Sequence, residues 1–226
     1  MTTTCIKTLG FKRVRITELD ECGAVPADAE YVVSNGQIKI TLSHEVDSGD
    51  EFIQKNGVGE LCINEKNPDA IKRVSVELEL CEVDPDLVAL MTGFRPVLDG
   101  AANVVGFRAV TGPLDTNFAL EAWTKLAGGA CTGGDLCYGY LLLPWVTGAV
   151  PGDIVVENAT ASLTIKGYTQ SNSDWDVGPW DVIGTDDSPG PLEDPIGSDE
   201  PYHLQVTCVT PPTAACGALP VTGSPA

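Results

Sequence analysis

Apolar and polar residues alternate along five segments of the chain, a period of two that is typical of β-strands with one buried face. The apolar positions are Ile38, Ile40 and Leu42; Val74, Val76, Leu78 and Leu80; Phe118, Leu120 and Ala122; Ala161, Leu163 and Ile165; and Leu204, Val206 and Cys208. Glycine (24 residues) and proline (16 residues) are concentrated between these segments and mark turns. The pattern predicts an all-β fold, either a sandwich or a barrel-like pair of sheets.

One short segment, residues 84–93, predicts a helix instead of a strand. Asp84 suits the N-cap, Pro85 suits the first helical position, and Gly93 can close the helix in the left-handed conformation. The apolar residues between them recur three and four positions apart, as on a helix with one buried stripe. We therefore expect a single helix packed against the sheets.

Two further segments fit neither pattern. Residues 44–60 lie between two alternating segments and predict a long loop or an extended hairpin. Residues 170–201 are rich in Asp, Pro, Gly and Ser and predict a long acidic loop, and residues 211–226 predict a C-terminal tail. Because no repeat and no linker divides the chain, one domain over residues 1–226 is expected.

The charge of the chain is strongly acidic and unevenly distributed. There are 32 acidic and 13 basic residues, giving a net charge of −19, and no Lys or Arg follows Lys166. Four bases, Lys7, Lys12, Arg13 and Arg15, lie within nine residues near the start. Such a chain does not attract nucleic acid, because phosphate binding needs a basic surface. Two interpretations remain open: acidity that repels DNA from a surface, or acidity that only maintains solubility.

No membrane or export segment is expected. The longest apolar stretch, residues 141–146, is far shorter than the roughly 20 residues that cross a bilayer. The N-terminal residues contain no apolar core of the kind that a secretory signal needs. The sequence therefore predicts a protein that stays in the cytoplasm where it is made, unless lysis releases it.

The eight cysteines include two pairs that are close in sequence, Cys131 with Cys137 and Cys208 with Cys216. Their spacing is longer than that of zinc ligands, and the chain has only 2 histidines, so no zinc site is predicted. The thiols would be free in a reducing cytosol. Disulfides within the two close pairs, formed after release, are the competing hypothesis.

Catalytic motifs are not found. No Gly-x-Ser-x-Gly turn and no complete phosphate-binding loop occurs, and His44 and His203 stand in no recognisable catalytic context. Residues 172–178 partly resemble the start of a calcium loop, but Ile183 stands where a glutamate ligand is required. The sequence predicts no catalytic residue, no metal site and no cofactor, and hence not an enzyme.

A set of longer stretches carries a family resemblance. They are Phe52–Cys62, Lys66–Asp69, Lys72–Leu87, Leu90–Gly93, Ala119–Leu126 followed by Cys131, Tyr140–Trp145 and Ile154–Thr169. Together they resemble the core of major tail proteins, the tail tube proteins of long-tailed siphophages, most closely those of phages that infect actinobacteria. The resemblance covers about residues 5–169 and consists of a pattern of strands, helix and turns.

The resemblance implies two packed antiparallel β-sheets flanked by a helix at about 84–93. It further implies hexameric rings that stack head-to-tail into a tube for DNA ejection. The partners would be other copies of the chain and other tail proteins, with DNA passing through without specific binding and no membrane involved. The protein would be made in the host cytoplasm and reside in the virion tail. The alternative hypothesis is a carbohydrate- or cell-binding β-sandwich module.

Two groups of residues are expected to serve the tube. The inter-ring contact would involve the 44–60 segment and the basic residues near the start, namely Asp47, Asp50, Glu51, Phe52, Ile53, Lys7, Lys12, Arg13 and Arg15. Acidic residues that repel phosphate are expected to line the lumen, with Glu77, Glu79, Asp115 and Glu121 as candidates.

Overall fold

The structure is a computed structural model that describes residues 7–130, 136–155, 162–173, 175, 182–183 and 188–222. The strands are β1 (Thr8–Leu19), β2 (Glu30–Ser34), β3 (Gln37–Asp47), β4 (Glu51–Lys55), β5 (Leu61–Lys66), β6 (Ala70–Leu80), β7 (Arg95–Leu98), β8 (Val104–Arg108), β9 (Asn117–Ala130), β10 (Leu136–Val155), β11 (Ser162–Gln170), β12 (Val182–Ile183), β13 (Pro189–Gly190), β14 (His203–Thr207) and β15 (Ala215–Pro220). One helix, α1 (Pro85–Thr92), stands among them. The predicted all-β class with one short helix is confirmed.

Nine of the strands form one antiparallel sheet in the order β15-β2-β1-β9-β10-β11-β6-β3, with β14 also paired to β10. The path does not close into a barrel in the part of the chain that the structure describes. Strand β10 is 20 residues long and connects two halves of the sheet. Its first part pairs with β9 and β14, and its second part, from Trp145 onward, pairs with β11.

The main hydrophobic core joins the two halves of the sheet. It contains Ile16 and Leu120 from the first half and Leu78 and Ile165 from the second half, all at most 2% exposed. Side chains of α1 complete the same cluster. Since both halves contribute to one core, the sheet folds over on itself as two packed layers flanked by the helix.

Helix α1 begins and ends at the predicted residues. The Asp84 side chain accepts a hydrogen bond from the Asp86 backbone at 2.9 Å, and Gly93 takes a left-handed φ of 69°. The Asp84 carboxylate also holds the C-terminal strand, because its Oδ2 accepts from the Gly217 amide at 2.8 Å. Residues 215–220 of the expected tail therefore form β15, an edge strand paired with β2.

A second, smaller core lies on the other face of β9 and β10. Trp123, Tyr140 and Leu142 are almost fully buried there. Residues from the acidic 170–201 segment cover them, namely Trp175, Val182, Leu192 and Ile196, which are at most 6% exposed. The described part of this segment is thus anchored by apolar side chains, although its sequence predicted a loop.

Candidate assembly surface

The 44–60 segment forms one side of a projecting β-hairpin. Strands β3 and β6 pair as far as Asp47 and Ala70, and the chain then continues into the two-stranded pair β4–β5. Every residue from 51 to 66 is exposed. We call residues 48–69 the arm. It is longer than the predicted segment, because the returning strand β5 belongs to it.

Local hydrogen bonds order the tip of the arm. The Asn56 side-chain oxygen accepts hydrogen bonds from the Val58 and Glu60 amides at 3.1 and 2.8 Å. The Glu60 carbonyl in turn accepts from the Asn56 amide at 2.8 Å. Gly59 supplies a left-handed φ of 88°, which favours glycine. These contacts fix the turn, so the arm projects as a shaped element.

The base of the arm is held by polar contacts. Asp69 accepts from the Gly49 amide at 3.0 Å and pairs with Lys66 at 2.8 Å, and the hydrogen bond from Lys66 lowers the pKa of this carboxyl group. A Cβ atom at Gly49 would stand 2.1 Å from the Asn67 carbonyl oxygen. The backbone segments at Gly49 and Asn67 therefore approach so closely that only glycine fits at position 49.

Below the base, Arg73 on β6 fastens neighbouring strands. Its Nε lies 2.5 Å from Glu45 of β3, and its guanidinium stands 4.2 Å from the ring centre of Tyr168 on β11. The hydrogen bond to Glu45 raises the pKa of Arg73. The cation–π contact and the ion pair fix three strands where the arm leaves the sheet.

The arm and its base expose an unusual number of large apolar side chains. Phe52 is 53% exposed, Ile53 is 56% exposed and Val58 at the tip is 83% exposed. The others are Val46, Leu61, Ile63 and Ile71, each between 42% and 61% exposed. Paired residues share a face of a hairpin, so Phe52 and Ile63 lie on one face and Ile53 and Leu61 on the other. Both faces of the arm are thus partly apolar.

The predicted basic cluster is divided by the structure. Lys7 and Lys12 are exposed and Arg13 is half-buried at the start of β1. Arg15, in contrast, is only 3% exposed and pairs with Glu121. Its assignment to the inter-ring contact is therefore wrong for this conformation, because its side chain points into the second core.

Glu121 likewise cannot line a lumen in this conformation, since it is 1% exposed. Its carboxylate accepts from Arg15 Nε at 2.5 Å, from Arg15 Nη2 at 2.7 Å and from the Tyr140 hydroxyl at 2.7 Å. Burial, followed by the nearby Glu121 charge, raises the pKa of Tyr140 well above its usual range. The guanidinium also lies 5.5 Å from the ring centre of Trp123.

The other lumen candidates are at the surface but do not share one face. Glu77 and Glu79 alternate with buried residues of β6 and point away from the main core. Glu77 stands 3.5 Å from Lys166, and Glu79 lies opposite Lys39, so this face carries mixed charge. Asp115 is exposed in the connection before β9, in a different region.

The cysteines pair differently from the expectation. Cys137 on β10 and Cys208 after β14 form a disulfide with an S–S distance of 2.08 Å. The predicted local pairs are wrong for these two residues, because β10 and β14 run side by side and bring residues 71 positions apart into contact. Cys216 is a free, exposed thiol, and Cys131 lies outside the described residues.

Two open grooves flank the sheet. The larger, about 940 Å³, lies between the base of the arm and residues 194–204, and His44, Tyr168 and Tyr202 are among its lining residues. His44 Nε2 is 3.3 Å from the Tyr202 hydroxyl. The smaller, about 640 Å³, lies between α1 and the end of β1, and its charged lining residues are all acidic.

No family model matches the chain, and no curated protein matches it. Within the described residues, no helix is long and apolar enough to cross a membrane. No group of three or more His, Cys, Asp or Glu side chains in those same residues could hold a metal ion. Asp174 and Asp176, the acidic residues of the calcium-like segment, lie outside the described residues.

Proposed function

We propose that the chain is a structural subunit that assembles with copies of itself into stacked rings, as a phage tail tube does. The single observation that carries this proposal is the arm, an ordered hairpin whose large apolar side chains are mostly exposed in the part of the chain that the structure describes. The resemblance of residues 5–169 to major tail proteins supports the same function. The proposed role is a conduit for DNA ejection, in the tail of the virion.

The exposure of the arm supports an assembly role on energetic grounds. A two-stranded hairpin is marginally stable alone, and both strands of this one are exposed with respect to the other described residues. Burying side chains such as Phe52 and Ile53 in a neighbouring subunit would contribute about 1.5–3 kcal/mol each. An exposed apolar surface rimmed by charged residues is typical of a protein–protein interface. We assign the arm to the contact between rings.

The open edges of the sheet support ring formation. Strands β15 and β3 end the nine-stranded path, so each carries one row of backbone groups without a strand partner among the described residues. Such edges are liable to pair with other chains unless they are protected. Pairing one edge with the opposite edge of the next copy is a heterologous contact, which closes into a ring if the rotation allows.

The charge of the chain fits a wall along which DNA slides. With a net charge of −19, the surface as a whole repels phosphate, so DNA would not be held at many points along its path. Among the lumen candidates, Glu77 is exposed and Glu79 is half-buried at the surface of β6. We keep these two as the proposed lumen residues, because Asp115 lines the smaller groove in a different region.

Electron microscopy of negatively stained, purified protein tests the function directly. The proposal expects rings or long hollow filaments, and sedimentation should show species far larger than one chain of 23.7 kDa. A sample that remains monomeric at every concentration and salt condition would reject the proposal.

A carbohydrate-binding function is the second candidate, and the larger groove is the observation that favours it. Tyr168 and Tyr202 line this groove together with the carboxylates of Asp199 and Glu200. However, Arg73 lies over the ring of Tyr168, so this ring is not free to stack on a sugar. A glycan array with fluorescent protein distinguishes the two functions, since a tube subunit should bind no glycan above background.

A further inference from the structure

The start of strand β1 carries a group of unpaired positive charges. Lys7, Lys12 and Arg13 lie there, and Lys125 is contributed by the adjacent end of β9, where Leu9 is paired with Lys125. We call these four residues the basic end. None of them forms an ion pair in the described part of the chain, although the chain has 32 acidic residues.

The opposite end of the same strand borders the smaller groove, which is acidic. Its six carboxylates come from β1 and the following turn, the start of β2, α1 and the connection before β9: Glu18, Asp20, Glu21, Glu30, Asp86 and Asp115. Its apolar lining residues include Leu90 and Pro96, and none of the described Lys or Arg residues lines it. None of the six forms an ion pair within the described chain.

The basic end and the acidic groove lie toward opposite ends of β1. Arg13 and Asp20 are seven positions apart in nearly extended chain, which corresponds to roughly 23 Å at about 3.3 Å per residue. Strand β9 runs antiparallel to β1 and adds its Lys125 and Asn117 at opposite ends. One molecule therefore cannot satisfy its basic end with its own groove, but two molecules in line can.

We propose that the basic end of one copy docks in the acidic groove of the next copy, forming a head-to-tail joint along the axis of β1. This inference rests on the proposed function and assigns the surfaces through which copies stack. A contact between two different surfaces of identical subunits repeats without limit, as the growth of a tube requires. Complementary charges in such a joint set the register and accelerate docking.

The groove fits the basic end better than the arm does. The acids of the arm and its base are interspersed with Lys55, Lys66 and Lys72, and Asp69 already pairs with Lys66. The charged residues that line the groove are all acidic, and its volume of about 640 Å³ accommodates several side chains. In this arrangement the arm contributes apolar contacts between copies, and the basic end and the acidic groove contribute the charged contacts.

Charge reversal tests the joint in the full chain. We expect K12E/K125E and E21K/D115K each to raise the protein concentration needed for tube formation by about tenfold or more. An equimolar mixture of the two variants should assemble at the wild-type concentration, because each altered surface then meets a complementary partner. Raising the salt concentration should weaken wild-type assembly, since exposed charges are screened.

The control is R95E/R108E, which changes the net charge by the same amount as K12E/K125E but at exposed, paired positions of β7 and β8 that belong neither to the basic end nor to the lining of the groove. It should assemble as the wild type does, and circular dichroism should show all variants folded. If the wild type and both reversal variants form tubes at the same concentration, the basic end does not dock in the acidic groove, and the proposed function is unaffected. Failure of the mixture to recover assembly also overturns the joint. A wild type that never forms rings or tubes rejects both.

Discussion

Arg15 and Glu121 lie directly opposite each other on β1 and β9, and their side chains form a two-point ion pair in the interior. The two residues are 106 positions apart in the chain. Burying two charges is costly, and the cost is offset only when every polar atom finds a partner. Here the Tyr140 hydroxyl donates a further hydrogen bond to the same carboxylate.

Removing one charge of this pair should destabilise the protein strongly. In Glu121→Gln the guanidinium stays buried without its counter-charge, and we expect a loss of about 3–5 kcal/mol in the free energy of unfolding. The double variant R15M/E121Q should recover a large part of this loss, because no buried charge remains. Urea unfolding measures both values. Additive losses in the double variant would show that the two side chains are not coupled.

The titration of Tyr140 should be visible by absorbance. Burial and the Glu121 charge raise the pKa of Tyr140 well above the usual range, so we expect this phenol to ionise only when the protein unfolds. The folded state favours the protonated phenol, so this contribution to stability is full below the unfolded pKa of about 10. It is lost as the pH rises through the higher folded value. Tyr140→Phe should leave the alkaline absorbance change of the folded protein unchanged and should reduce only the change that accompanies unfolding.

The Cys137–Cys208 bridge should appear in oxidised protein as one cross-linked peptide pair. In the chain-entropy treatment, a link between residues 71 positions apart contributes about 4 kcal/mol to stability. Cys208→Ser should therefore lower the unfolding midpoint under oxidising conditions, with little effect once a reductant is present. Cys22→Ser, at a free and exposed thiol, is the control. Mass spectrometry that finds Cys131 joined to Cys137, or Cys208 joined to Cys216, would contradict the pairing.

Replacing the arm by a short turn should abolish tubes without unfolding the subunit. Asp47 and Ala70 are paired across β3 and β6, so an Asn-Gly turn between them can replace residues 48–69. We expect a folded monomer by circular dichroism and sedimentation, and no filaments by electron microscopy. Replacing only Phe52 and Ile53 with Ser should weaken assembly and keep the hairpin. If the shortened protein polymerises at wild-type concentrations, the arm is not the contact between rings.

Local sequence predicted the helix and some of the strands. Alternation identified segments of β3, β6, β9, β11 and β14, and Asp84 and Gly93 marked the ends of the helix, because both signals depend on neighbouring residues. Strands β1, β2 and β10 of the main sheet were not predicted. The arm was placed correctly between two strands. Its returning strand was missed, although Leu61 and Ile63 alternate with polar or small residues, because two apolar positions make a weak signal.

The errors share one physical cause. Glu121 alternates with apolar residues and was therefore assigned to a solvent-exposed face, but β9 is covered on both sides. Alternation indicates that one face of a strand is buried, but it does not show whether a distant segment covers the opposite face. The disulfide error is similar, since Cys137 and Cys208 meet through the register of β10 with β14. Contacts between distant segments are not encoded in local periodicity.

Pairing between strands that are distant in sequence also governs when the fold can form during translation. Hairpin β3–β6 and its arm can close as soon as residue 80 has left the ribosome. Strand β1 must wait for β9, and 106 residues synthesised at about 5–20 per second correspond to roughly 5–20 s. During that interval the arm is already presented while the sandwich is incomplete. Nascent chains on the same messenger RNA can then associate prematurely through their arms. Because the long-range closure of the sheet is slow, this interval carries the greatest risk of aggregation.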